Sequence, residues 1–408
     1  MRLEKPAAVS TFVFSVAITA GLACTVDPDF LPNLDDDPEG GAKVDGGDAT
    51  VGDGDTLADG STPDDGETKP DAAPKGTLFA FVGSTDGKIR VYTVDAGGGL
   101  TLKKENNAGK NPSFIAFDPP THRVVSVDEG NPGIVRSFLF DTPTGALTEV
   151  NNKTSSGDGA THLSIDPSGK WVFVANYTGG NMSVLPLAQN GTLGDTADKK
   201  TSGAKSHWAG TNPSGTHVFV PSLDGNVVSQ YILNNATGKL TDNGTGVFPA
   251  GAGPRHLAFH PSEKYAYVVN ELGTSVTPFT FDKTTGKLSP LATVSALPSG
   301  QSSTGVTGAE IFVHPNGKFV YASTRVYNSI ALFSIDGTGQ VSLLSNTPTG
   351  GNRPRSFGLT PEGNFLFAAN QDVNEIVGFT LNEATGALTS NGKITVNAPE
   401  FVGLVRFE

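Results

Sequence analysis

The stretch Leu257-Ala258-Phe259-His260-Pro261-Ser262-Glu263-Lys264-Tyr265-Ala266-Tyr267-Val268-Val269 alternates apolar and other side chains on either side of a turn, and Val276, Phe279 and Phe281 extend the pattern past the next turn. Period-two runs separated by Pro, Ser, Asn and Gly predict short antiparallel strands. The phrase recurs along the chain. Its turn proline stands at Pro119, Pro167, Pro213, Pro261, Pro315 and Pro361, spaced 48, 46, 48, 54 and 46 residues apart. A second marker, Gly-x-Leu or Gly-x-Val, begins at Gly98, Gly145, Gly191, Gly238, Gly286, Gly339 and Gly386. Seven markers imply seven units. Units of this length with about four strands and no amphipathic helix predict the blades of a β-propeller rather than a helical solenoid.

The ends of the repeat predict how the ring closes. The first unit opens at Thr77 with Leu78-Phe79-Ala80-Phe81-Val82 and has no preceding Pro-bearing strand, whereas the chain finishes with Pro399-Glu400-Phe401-Val402-Gly403-Leu404-Val405. That ending matches the start of a unit, as in Pro112-Ser113-Phe114-Ile115-Ala116-Phe117. The expected fold is all-β, a seven-bladed β-propeller over 77–408 whose first blade is closed by the C-terminal strand.

Charge divides the chain differently. The 408 residues hold 41 Asp+Glu against 28 Lys+Arg, a net of -13, yet 13 Asp and 2 Glu lie in residues 25–76 beside only 3 Lys. The propeller region is left at -2. It lacks the basic patch that nucleic acid needs, and the acidic segment would repel phosphate backbones. Residues 25–76, rich in Asp and Gly with few large apolar side chains, read as a disordered acidic linker, a self-repelling spacer. Its Asp53-Gly54-Asp55 stretch lacks the closing Glu of a calcium loop.

Residues 1–24 place Arg2 and Lys5 before an apolar run that ends Gly21-Leu22-Ala23-Cys24. This is the pattern of a lipoprotein-type export signal, with Cys24 as the lipidation site and membrane attachment through that lipid alone. The expected location is outside the cytoplasm, as an outer-membrane, periplasmic or cell-surface lipoprotein. Plain secretion and an uncleaved anchor are the other readings. A single cysteine rules out a disulfide framework.

Candidate chemistry gathers where hairpin ends meet. Arg255 and Glu271 flank the turn at Glu263, His162 and Asn176 that at Gly169, Glu310 and Arg325 that at Asn316-Gly317-Lys318. His207 with Ser222 surrounds Ser214-Gly215, and Arg355 with Asn370 surrounds Glu362-Gly363. Antiparallel pairing should bring all of them to one mouth of the central channel. The bland reading makes Arg255 with Glu271, and Arg325 with Glu310, ion pairs within blades that merely hold hairpin ends. His256 should face away, into the joint between blades, while His122 and His217 should face solvent. No histidine pair has zinc spacing, so neither a metal nor another cofactor is expected.

Gly253-Pro254-Arg255-His256-Leu257-Ala258-Phe259-His260-Pro261, followed by Asn270-Glu271-Leu272, resembles the central motif of lactonase-type seven-bladed propellers, the 6-phosphogluconolactonase and carboxy-muconate lactonizing enzyme group. Thr307-Gly308-Ala309-Glu310-Ile311 with Arg325, Pro354-Arg355-Ser356-Phe357 with Asn370-Gln371, and Trp171-Val172-Phe173-Val174-Ala175-Asn176-Tyr177 are also similar. The resemblance implies a catalytic set of His207, Arg255, Glu271 and Arg325, with Glu310 and Arg355 as neighbours. His162, Asn176 and Asn370 join Glu310 and Arg355 as candidate substrate-binding residues. Two stretches depart from the group: Pro221-Ser222-Leu223-Asp224, where Asp-Leu-Gly is usual, and Val326-Tyr327-Asn328, where Gly-His-Asp is common.

The implied activity is metal-independent hydrolysis of a sugar lactone, with Glu271 or His207 as general base and arginines stabilising the oxyanion. The partner would be a small-molecule lactone, and the protein a monomer. An exported enzyme would meet an unphosphorylated aldonolactone more readily than a cytosolic sugar phosphate. A non-catalytic surface propeller that binds a partner, and a lactone-forming cycloisomerase, are the alternatives.

Overall fold

In the computed structural model, residues 75–408 are described; the export segment, Cys24 and nearly all of the acidic linker lie outside the described residues. Seven antiparallel sheets follow one another along the chain, six of four strands and one with a short fifth strand, Val294–Ser295. Within each blade consecutive strands are neighbours, as short turns dictate. The exception is the first, where Pro399–Phe407 pairs with Thr77–Ser84 in the register Phe79 with Val405 and Phe81 with Gly403. The ring therefore closes as the sequence predicts.

Each sheet is apolar on both faces, because it meets a blade on either side. Seven core clusters result, one at each joint among the described residues. At the joint between the first and second blades Phe79, Phe81, Phe138, Phe140, Phe401 and Phe407 pack together, with Phe79 and Phe140 edge to face at 5.0 Å. Outermost strands are different. Thr101 to Glu105 of Leu100–Asn107 are exposed in a row and include Lys103 and Lys104, which discourages edge-to-edge pairing with another sheet.

The Gly-x-Leu marker has a physical cause. All seven marker glycines have φ between 69° and 86° except Gly286, at 68°, a left-handed backbone that suits glycine. In five blades the glycine also lies against the first side chain of the preceding blade's second strand: Gly98 on Phe365, Gly238 on Trp171, Gly286 on His217, Gly339 on Tyr265 and Gly386 on Phe319. His217 is thus buried at a joint rather than solvent-facing. His260 and His314 serve similar joints, each Nε2 lying 2.9 Å from a carbonyl of the next blade's turn, at Gly317 and Gly363.

A Cβ on residue 339 would stand 2.2 Å from Tyr265 Cδ1, whereas one on Gly251, whose φ is 76°, meets nothing within 4 Å. Gly251→Ala should cost about 1 kcal/mol for the left-handed backbone alone. Gly339→Ala should cost about 2–4 kcal/mol, the excess arising from overpacking. Comparison of the two urea midpoints checks this, and equal shifts would show that the ring contact contributes nothing.

Candidate active site

Every inner strand carries one residue more than its partner where the two reach the channel mouth. Pro254 pairs with Asn270 but His256 with Val269, so Arg255 is extra. Arg355 is extra between Pro354 and Ser356, Thr161 between Ala160 and His162, and Glu400 where the closing strand meets Ser84. Blade six slips by one residue between Gly308 and Ile311. Blade four slips by one between its Ser206 with Ser222 bridge and the Gly210 with Phe219 pair, which leaves His207 extra. In blade two Glu129 N–H reaches back to Asn111 O as Glu271 N–H reaches Gly253 O, so Ser113 is the extra residue there. Such bulges break the two-residue alternation and re-aim side chains. Consecutive residues then line one space: Arg255 with His256, Arg355 with Ser356, and Ser113 with Phe114.

The bulge corrects two expectations. His256 does not turn away into a joint; it sits at the centre of the cluster, with Nδ1 2.7 Å from Glu310 Oε1 and Nε2 3.2 Å from both His207 Nδ1 and Arg255 NH1. The ion pair of Arg325 with Glu310 within blade six is absent as well. Arg325 NH2 instead reaches across to Glu271 Oε1 at 2.8 Å, while Arg255 Nε meets Glu271 Oε2 at 3.0 Å. Glu271 is clamped between two guanidinium groups from two blades.

Other predicted residues take distinct places. Arg355 makes only long ion pairs, 3.8 Å to Glu129 and 3.9 Å to Glu400, and so keeps donors available. His162 Nδ1 accepts from Ala209 N–H at 3.3 Å, and its ring lies between Phe114 and Trp208 at 4.0 and 5.3 Å. It lines a channel cavity of about 420 Å³ behind the cluster, walled mainly by apolar side chains such as Phe117, Phe312 and Leu404. Asn176 and Asn370 turn their amides into the backbone, donating to Ser155 O and Thr349 O at 3.2 Å, and they do not line the cavities at the mouth. Ser222 donates to Ser202 O at 2.7 Å in the equivalent place.

Burial sets the electrostatics. His207 and His256 are held well below the usual imidazole range, first by desolvation and then by Arg255, so both are neutral bases at neutral pH. Desolvation also brings Arg255 down to about 9 and pushes Glu310 up to about 7. Outward of Glu271 and Arg325 lies a cavity of about 270 Å³ completed by Thr307, Val326, Asn352, Arg353 and Asp372. Its mixed donors and acceptors suit a polyhydroxylated molecule better than the apolar cavity behind does.

Sequence reasoning passed over His256, Glu400 and Glu129. A signal for the first two was present: Pro112, Pro254, Pro354 and Pro399 each stand immediately before the extra residue, where proline's missing N–H leaves no ladder bond unmade.

The family described as "Lactonase, 7-bladed beta-propeller" matches residues 79–404. A 6-phosphogluconolactonase of Bacillus subtilis is 32% identical over 289 residues, covering 68% of this chain and 82% of the relative. One from Pectobacterium carotovorum is 31% identical over 326 residues, covering 79% and 96%. Among solved structures, a Bacteroides uniformis protein superposes with TM-score 0.75 at 27% identity, and a Lactobacillus plantarum protein with 0.76 at 25%, each over 81% of this chain and the whole of the other. With this match spanning all seven blades, the chain belongs to the lactonase family of seven-bladed β-propellers.

Proposed function

We propose that the protein hydrolyses a sugar lactone at the channel mouth, with His207 as general base and Arg255 and Arg325 as the cationic wall of the site. The relatives' 6-phosphogluconolactonase activity supports hydrolysis over a binding-only propeller or a cycloisomerase. The observation that carries the choice of base is the state of the two candidates. Glu271 has each oxygen facing a guanidinium group, Arg325 at 2.8 Å and Arg255 at 3.0 Å, so both are occupied by cations. His207 is neutral, and its one side-chain hydrogen bond uses Nδ1, leaving Nε2 for water.

In this reading water gives a proton to His207 Nε2 as its oxygen adds to the lactone carbonyl. Guanidinium N–H groups meet the oxygen that becomes negative. The bond from carbonyl carbon to ring oxygen then breaks, the imidazolium returns its proton to that ring oxygen, and the new carboxylic acid ionises in solvent. Arg355, with its loose partners, receives the anionic or hydroxylated end of the substrate. Residues 1–24 favour an exported protein anchored through Cys24 and hence an unphosphorylated aldonolactone as substrate.

Proton release from glucono-δ-lactone and from its 6-phosphate, followed with purified full-length protein, tests this reading. His207→Gln should lower kcat by about 10²–10⁴-fold. Arg355→Ala should act mainly on KM. If the wild type accelerates neither substrate above spontaneous hydrolysis, the lactonase reading is wrong. Separately, Cys24→Ser should move the protein from the membrane fraction to the soluble fraction, and an unchanged distribution would remove the lipid anchor.

A further inference from the structure

We infer that His256 and Glu310 are positioning residues for the reaction, forming with His207 a buried chain that fixes the proton on each imidazole and disperses the charge His207 acquires. The inference rests on His207 as base, and its argument is one of donors and acceptors.

Arg255 NH1 can only donate, and it lies 3.2 Å from His256 Nε2. That nitrogen must therefore carry the lone pair, and the ring proton is on Nδ1. Nδ1–H then donates to Glu310 Oε1 at 2.7 Å, an oxygen that also accepts the Ile311 N–H at 3.1 Å. His207 Nδ1 stands 3.2 Å from the same His256 Nε2, so it too must donate. His207 is left with its proton on Nδ1 and its lone pair on Nε2, the form a base requires. One arginine thus sets the tautomers of two histidines.

Continuity of the chain gives it a second role. When His207 Nε2 takes a proton from water, each Nδ1 proton stays where it is, and the positive charge of the His207 ring is met through His256 by the Glu310 carboxylate. The arrangement is a carboxylate behind two imidazoles, an extended form of the carboxylate-histidine orientation used in hydrolytic triads. Burial of all three side chains, at 5%, 3% and 4% exposure for His207, His256 and Glu310, keeps competing water away.

Protonated Glu310 would donate to His256 Nδ1 and force the proton onto Nε2, against Arg255. The chain therefore works only with Glu310 ionised. Groups that face it set where this happens: Arg255 and His256 from blade five, Arg355 from blade seven, Glu400 from blade one, His207 from blade four and His162 from blade three, with Arg325 on the neighbouring strand of its own blade. Burial raises the Glu310 carboxyl to about 7, with Arg255 and Arg355 opposing. Lactonase activity of the wild type should accordingly fall as pH drops through about 7, although His207 itself stays neutral far below that.

The pH profile of kcat, corrected for spontaneous hydrolysis, is compared in full-length wild type, Glu310→Gln and His256→Gln. Glu310→Gln, which still accepts from Nδ1–H, should lose about ten- to hundredfold in kcat with KM nearly unchanged and should lose the limb near pH 7. His256→Gln should lose at least as much. ¹⁵N spectra of the histidine rings provide a readout that needs no turnover: His207 should be protonated on Nδ1 in the wild type and become a tautomer mixture in His256→Gln. An inactive wild type with the His207 Nδ1–H signature would overturn the hydrolase reading but leave the chain standing. An active wild type whose limb survives Glu310→Gln, or a His207 ring protonated on Nε2, would overturn the chain. Far-ultraviolet dichroism identifies a variant that has not folded, in which case the wild-type ring spectrum decides.

Discussion

A sheet that is apolar on both faces cannot stand at the end of a row. Each of these seven blades needs a neighbour on either side, and the row satisfies that need only by bending into a ring and returning to its first member. Pairing of Pro399–Phe407 with Thr77–Ser84 is the bond between strands that completes the return, and Phe401 and Phe407 of the closing strand pack into the joint with the second blade. The requirement has a geometric by-product. Seven inner strands converging on an axis leave a channel whose mouth is lined by the same position of every blade, so residues remote in sequence become neighbours.

What those residues are is decided by one extra residue per inner strand. Strict alternation would send Arg255 and His256 to opposite faces of their strand; the bulge lets both reach the axis. Charge collected in so little space must be balanced there, since an unpaired buried ion costs several kcal/mol. The solution is a carboxylate held between guanidinium groups of different blades, Glu271 between Arg255 and Arg325, and a second carboxylate, Glu310, held by an imidazole. Contacts at the mouth therefore run between blades as well as within them, and the site exists only in the closed ring.

The repeat was legible because backbone chemistry repeats with it. Turn prolines and marker glycines recur since every blade needs the same left-handed turn and five of them the same close approach to a neighbour, at Gly339 on Tyr265 as at Gly238 on Trp171. The joining of chain ends was legible for the same reason, Pro399-Glu400-Phe401 being the start of a blade. Pairing at the mouth was not. Counting outward from Glu263 assumes an unbroken ladder, and a single inserted residue invalidates the count from that point on. Hence the count brings Arg255 to Glu271, with which it pairs, but puts His256 on the wrong face and gives Arg325 the wrong neighbour. Asn176 and Asn370 illustrate the converse error: adjacency to the mouth in sequence, with side chains that serve the backbone.

Two stretches beside the mouth, 221–224 and 326–328, can be judged in the same terms. Ser222 is buried and donates to Ser202 O, as Asn176 and Asn370 donate to carbonyls of their own blades' entering loops, so it supplies the same kind of backbone tie. Asp224, next to it, pairs with Lys205 at 2.8 Å on the surface. Val326 is a different matter. Its φ of 73° is one that a β-branched residue rarely adopts and that suits glycine. The backbone is left-handed, and the side chain, 63% exposed, stands at the rim of the cavity beside Glu271 and Arg325. An apolar group is thus held, at a cost in backbone strain, at the entrance to an otherwise polar pocket, with the charged cluster beneath it.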